Sequence, residues 1–131
     1  LAKVIEPALA QGKWVICDRF TDATFAYQGS ARGLPYETIA MLERLVQGDQ
    51  RPDAVVLMDL APELGMKRAR ARGDLDRFER EDQAFYDRVR AGYLSRAQLN
   101  PAMYRVVDAS QSLEGVQHDL SELIGQWISD D

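Results

Sequence analysis

Short apolar runs that each end in an aspartate recur along this chain, separated by stretches with helical patterning. Trp14-Val15-Ile16-Cys17 leads into Asp18, Ala54-Val55-Val56-Leu57-Met58 into Asp59, and Tyr104-Arg105-Val106-Val107 into Asp108. A short run of this kind suits a strand covered on both faces. Such strands alternating with helices predict parallel βαβ units with helices on both sides of the sheet, an α/β fold. Ligands of such sheets gather beyond the carboxyl ends of the strands, where all these aspartates stand. With no repeat and no linker between the units, residues 1–131 read as a single domain.

The intervening helices are legible from their stripes and stops. Residues 1–11 read as the end of an amphipathic helix despite Pro7, with Val4, Ile5, Ala8 and Leu9 on one face and Gly12 as the stop. The pattern is already helical at Leu1 and no capping residue precedes it, so an upstream segment is expected. Residues 22–28 form a further turn or two, and Gly29 to Gly33 a loop carrying Arg32. Pro35 opens the next helix, with Ile39, Leu42, Leu45 and Val46 as its stripe and Gly48 as its stop. A helix from Pro62 ends at Gly73. A long charged helix over 78–97 places Phe85, Val89 and Tyr93 on one face, and a last helix covers 112–128.

Composition narrows the functional classes. A formal net charge of −5 argues against a general nucleic-acid binder. The apolar runs fall short of the ~20 residues a membrane span needs. The lone Cys17 can form no internal disulfide and suits a reduced, cytoplasmic protein with a half-buried thiol. There is no His or Cys cluster for zinc, and His118 falls on the polar side of the last helix.

Two segments carry chemistry. In Asp18-Arg19-Phe20-Thr21-Asp22-Ala23-Thr24-Phe25-Ala26-Tyr27-Gln28-Gly29 a charged pair directly follows a strand. An acid there can hold a hydrated cation or orient a base, and an arginine can grip a phosphate with two parallel hydrogen bonds. Thr24, Tyr27 and Gln28, at i, i+3 and i+4, would share one helical face and present hydroxyl, phenol and amide to one ligand. The same residues equally suit a surface ion pair and a packed aromatic. In the second segment, Arg68 and Arg72 lie on one helical face, Gly73 breaks the helix, and Arg77 follows in the turn. Fixed cations on a hinged segment suit phosphoryl transfer, where charge spreads over the transferring oxygens. They also suit a solvated helix end whose dipole favours cations. A weaker signal, Asp108-Ala109-Ser110-Gln111, follows the last strand.

The first segment resembles the Asp-Arg-(Tyr/His/Phe)-x-x-Ser/Ala-x-x-Ala-Tyr-Gln-Gly motif of bacterial thymidylate kinases. The likeness continues through Arg32-Gly33-Leu34, Gly48-Asp49-Gln50-Arg51-Pro52-Asp53 and Arg68-Ala69-Arg70-Ala71-Arg72-Gly73-Asp74-Leu75-Asp76-Arg77-Phe78-Glu79, and so covers essentially the whole chain. It implies a P-loop NTPase-type parallel sheet flanked by helices, with a lid over about residues 68–80. It implies ATP-dependent phosphorylation of dTMP to dTDP in dTTP biosynthesis, with Mg²⁺ accompanying ATP, in a cytoplasmic homodimer. On that resemblance Arg19 binds the dTMP phosphate, and Asp18 organises phosphates and Mg²⁺ through water. Thr24 reaches the polar edge of thymine, Tyr27 packs near the deoxyribose, and Gln28 supports the same pocket. Arg72, Arg77 and then Arg68 contact ATP phosphates, Asp76 and Glu79 orient them, and Ser110 and Gln111 line the adenine site. Ala23 departs from the serine of many members, a lost hydroxyl.

The resemblance also implies what residues 1–131 lack. No Gly-x-x-x-x-Gly-Lys-Ser/Thr cradle for the β- and γ-phosphates occurs in them. In the family's sheet that loop follows a central strand lying between those that match 13–17 and 54–59. Without it both lose a neighbour and expose unpaired edges. Residues 1–131 alone are therefore expected to be inactive. The alternatives are a non-catalytic nucleotide-binding or dimerisation remnant, and another nucleoside monophosphate kinase.

Overall fold

A computed structural model gives the positions of residues 3–73 and 82–129. Helix α1 spans Ile5–Leu9 and gives way to Gly12, whose φ of 68° turns the chain. The next helical stretch begins as α2, Asp22–Thr24, and continues as a π-helix over Phe25–Ala31. Helix α3 spans Tyr36–Gln47, strand β1 Val55–Asp59 and helix α4 Pro62–Arg72. They are followed by α5, Gln83–Leu99, strand β2, Tyr104–Asp108, and α6, Leu113–Ser129.

The helix boundaries follow local chemistry. Pro62 occupies the first turn of α4, where its missing N–H costs nothing. Gly73 closes α4 in the left-handed region at φ 82°, its N–H reaching the Ala69 and Arg70 carbonyls. The Asp82 carboxylate caps α5 by accepting from the Phe85 N–H at 2.8 Å.

β1 and β2 pair in parallel, with Val55 beside Tyr104 and Asp59 beside Asp108, and α4 and α5 form the crossover between them. The packed centre lies where α5 crosses the π-helix. Ala26, Ala31, Phe85 and Val89 are buried there, with Tyr27, Tyr86 and Tyr93 against them. Phe85 meets Tyr86 edge-on at 5.4 Å, and Arg88 Nε donates to the Ala31 carbonyl at 3.2 Å, closing the end of the π-helix.

Three expectations need correction. The expected strand over 13–17 forms no ladder. Trp14 is 61% and Ile16 93% exposed, and Cys17 is exposed rather than half-buried. An apolar run becomes a strand only when a neighbour takes its N–H and C=O groups, and the described residues offer this one none. The expected loop over Gly29 to Gly33 is helical as far as Ala31. Gly29 has no Cβ, and the Tyr36 ring takes that space. The Ser30 and Tyr36 hydroxyls are hydrogen-bonded, which fastens α3 to the π-helix. Helix α1 also starts later than expected and carries no buried residue. No described helix is long and apolar enough to cross a membrane.

Candidate functional site

Asp59 and Asp108 stand side by side at the carboxyl end of the two strands. Two like charges there would repel, and a cation relieves Asp59. Arg90, reaching from α5, grips it with Nε at 2.7 Å and a terminal nitrogen at 2.8 Å. That hydrogen bond holds the Asp59 carboxyl below the usual carboxylate range, against burial and the nearby Asp108. Above this pair opens a cleft of about 220 Å³, lined by residues of the β1 end, Gly65, Tyr86, Val89, Arg90 and Tyr93. Its position is the one at which parallel sheets bind ligands.

Tyr93 joins this cleft to the Asp18 segment. Burial pushes its phenol up, Tyr27 adds to the rise, and Arg19 counteracts it. The Arg19 guanidinium lies over the Tyr27 ring at 5.1 Å from the centroid. Arg19 itself is the only described non-glycine residue with positive φ, at 61°. The left-handed region costs a residue with a Cβ about 1–2 kcal/mol, and such outliers cluster at functional sites. Asp18, Arg19 and Thr24 are exposed, while Tyr27 and Gln28 are half-buried. The structure thus brings Arg19 and Tyr27 beside Tyr93, which itself lines the cleft.

The loop after β2 is built differently. Arg68 donates to the carbonyls of Ala109, Ser110 and Gln111 at 2.7, 3.1 and 3.4 Å. The Asp108 carboxylate accepts from the Ser110 hydroxyl and, at 2.8 Å, from the Ser110 N–H, and these bonds lower its pKa. Gln111 Nε2 bridges the Asp108 carbonyl and the Asp119 carboxylate. Arg68 and the 109–111 loop are therefore one unit, with the Arg68 fork engaged by backbone. Arg70 and Arg72 are exposed near the end of α4. Arg77, Asp76 and Glu79 lie outside the described residues.

The thymidylate kinase family model matches residues 1–120. The chain belongs to this family. It is similar to the thymidylate kinase of Pseudomonas syringae pv. tomato, 60% identical over 128 residues, which cover 98% of this chain and 61% of that protein. The thymidylate kinase of Teredinibacter turnerae is 55% identical over 128 residues, with 98% and 62% covered. Among solved structures, the thymidylate kinase of Ehrlichia chaffeensis superposes with a TM-score of 0.69 at 32% identity, over 96% of this chain and 56% of that one. The chain thus spans about three fifths of the length of the curated relatives it matches. Its parallel strand pair with flanking helices is part of an α/β P-loop NTPase fold.

Within this thymidylate kinase chain, no three described His, Cys, Asp or Glu side chains come together to hold a metal ion. Asp18 offers one exposed carboxylate, which suits contact with a hydrated Mg²⁺ through water and not a protein cage. Sequence reasoning missed Arg90, and Tyr93 as a polar group. Both act across long sequence separations, where spacing carries no signal. The one available hint was an uncompensated aspartate at each strand end.

Proposed function

We propose that the protein carrying this chain phosphorylates dTMP with ATP, in the cytoplasm and as a homodimer. One oxygen of the dTMP phosphate forms a bond to the γ-phosphorus of ATP, the bond to the β-phosphate oxygen breaks, and dTDP and ADP leave. The observation that most supports this is the aimed Arg19 with Tyr27 and Tyr93 at the edge of a cleft beyond the strand ends. Arg19 would hold the acceptor phosphate by a forked pair of charge-assisted hydrogen bonds. Tyr27 would pack on the sugar, with Thr24 and Gln28 turned to the base. Arg72 and Arg77 would meet the ATP phosphates and steady the charge that develops on transfer. Arg68 would act on ATP through the loop it holds, whose residues Ser110 and Gln111 would line the adenine. Mg²⁺ would neutralise phosphate charge, and Asp18 would meet it through water.

The exposed apolar stripe of α3, Met41, Leu42, Leu45 and Val46, favours a subunit contact there. Residues 1–131 contain no Gly-x-x-x-x-Gly-Lys-Ser/Thr segment, so by themselves they would not turn over ATP. The same feature favours the second reading, a non-catalytic binding or dimerisation module. Coupled ADP release with ATP, Mg²⁺ and dTMP, run beside intact-mass measurement, separates the two. dTMP-dependent turnover by a protein longer than the 14.8 kDa of residues 1–131 is expected. A longer protein that ignores dTMP but accepts another nucleoside monophosphate would sink the substrate assignment.

A further inference from the structure

The Asp22 side chain is the only charged one among the described buried residues, with 8% exposure. Its Oδ1 accepts hydrogen bonds from Arg96 Nε on α5 and from the Tyr104 hydroxyl at the start of β2. Arg96 in turn lies over the Phe25 ring at 3.9 Å. Tyr104 is 7% exposed, and burial together with the Asp22 hydrogen bond pushes its phenol up to about 12. Tyr104 is therefore a neutral donor at any working pH, and the carboxylate has two fixed donors. We infer that Asp22 is a positioning residue for nucleotide recognition, and that its carboxylate sets where Thr24, Tyr27 and Gln28 stand. This rests on the proposed reading of that segment as the dTMP site.

Asp22 is the first residue of α2, which has no side-chain cap and is only three residues long before it continues as the π-helix. A helix so short does not fix its own phase. Its orientation has to come from tertiary contacts, and Asp22 supplies the directional one. The carboxylate ties α2 to α5 and β2 at one oxygen, two residues before Thr24. The preceding residue is anchored on the opposite side. Thr21 Oγ1 donates to Glu43 at 3.0 Å, and Glu43 pairs with Arg51 at 3.5 Å. The two anchors hold the start of the helix from α3 on one side and from α5 and β2 on the other.

Stability alone is a poor reason for such an arrangement. A buried ion pair gives back in desolvation much of what it gains by attraction, and apolar residues of similar size often stabilise as well. What an ion pair with a hydrogen-bonded phenol adds is direction. The directed groups here lead straight into the stretch that carries Thr24, Tyr27 and Gln28. A displacement of about 1 Å in a substrate-positioning element can cost up to a hundredfold in rate.

The test uses the whole protein that carries this chain, with Asp22→Asn and Tyr104→Phe as variants of conserved shape. Initial rates are measured against dTMP and ATP separately, beside thermal melting. Asp22→Asn is expected to raise KM for dTMP about tenfold. KM for ATP should stay within roughly twofold, because the ATP side is untouched. Tyr104→Phe keeps the ion pair and is expected to raise KM for dTMP roughly threefold. A lower melting temperature with KM for dTMP unchanged in Tyr104→Phe would mark the knot as structural only and overturn the inference. That comparison decides the matter even if Asp22→Asn fails to fold. An unsubstituted protein that does not use dTMP at all would instead overturn the underlying reading of the site, and this is seen before any variant is made.

Discussion

Arg19 and Arg68 both belong to segments proposed to meet phosphate, yet the fold holds them in opposite ways. Arg19 is exposed, sits in the left-handed region and leans on an aromatic ring at 5.1 Å. Besides a hydrogen bond with the Tyr93 phenol, its guanidinium stays exposed. Arg68 is half-buried, in an ordinary helix, with its fork taken up by three backbone carbonyls. Its donors build a loop. Arginines of neighbouring motifs can therefore stand in quite different surroundings. A guanidinium whose planar fork already fits carbonyl groups would have to break those bonds to turn to a ligand, whereas one resting on a ring can pivot.

The largest expected effect breaks the comparison at its presented end. Arg19→Ala in the whole protein should lower kcat/KM for dTMP by roughly a hundredfold, the usual scale for removing one charged donor from a reacting group. Melting temperature should hardly move, because the lost side chain is exposed and its removal relieves the backbone only a little. Steady-state kinetics with dTMP varied at saturating ATP reads this directly. An unchanged kcat/KM would mean that the strained Arg19 serves packing on Tyr27 and not the acceptor phosphate.

A smaller effect is expected at the building end. Arg68→Ala frees three carbonyls from their shared donor, and the 109–111 loop loses its tie to α4. KM for ATP should rise about tenfold with KM for dTMP unchanged. Arg68→Lys should recover little of the loss, since an ammonium cannot fork between carbonyls in one plane. Hydrogen exchange at the Ser110 and Gln111 amides should quicken in both variants. A collapse of kcat with exchange unaltered would return Arg68 to direct phosphate contact and make the two arginines alike.

The strand-and-helix grammar of the sheet was legible in the chain. Strands at Val55–Asp59 and Tyr104–Asp108, the Pro62 start and Gly73 stop of α4, and the face of Phe85, Val89 and Tyr93 follow from period, proline and glycine. The 13–17 run has the same local signature, yet it joins no ladder among the described residues. A strand is a property of a pair, and patterning reads only one member. The site divides along the same line. The candidate residues Asp18, Arg19, Thr24, Tyr27 and Gln28 fall in one short stretch and can be named from the sequence. Asp22 with Arg96 and Tyr104 brings together residues 74 and 82 positions apart, and nothing local announces such partners. The π-helical winding from Phe25 was likewise hidden, and within it Gly29 lies under the Tyr36 ring.

The smallest effect concerns the ground between the two arginines, where Asp59 and Arg90 floor the cleft. Asp59→Asn removes the charge but keeps the shape. The pair is partly open to water, with side-chain exposures of 21% and 40%, so its loss should cost about 1 kcal/mol at neutral pH and not the several expected of a sealed pair. Acid sharpens the comparison. The folded Asp59 binds its proton less readily than its usual value of 3.8, so its contribution is complete above that value and is lost as pH falls through the lower folded one. The melting temperatures of wild type and Asp59→Asn should therefore stand apart at pH 7 and converge below about pH 3.8. A gap that persists at low pH would mean that the asparagine disturbs packing in the cleft, and that the ion pair is not what separates the proteins.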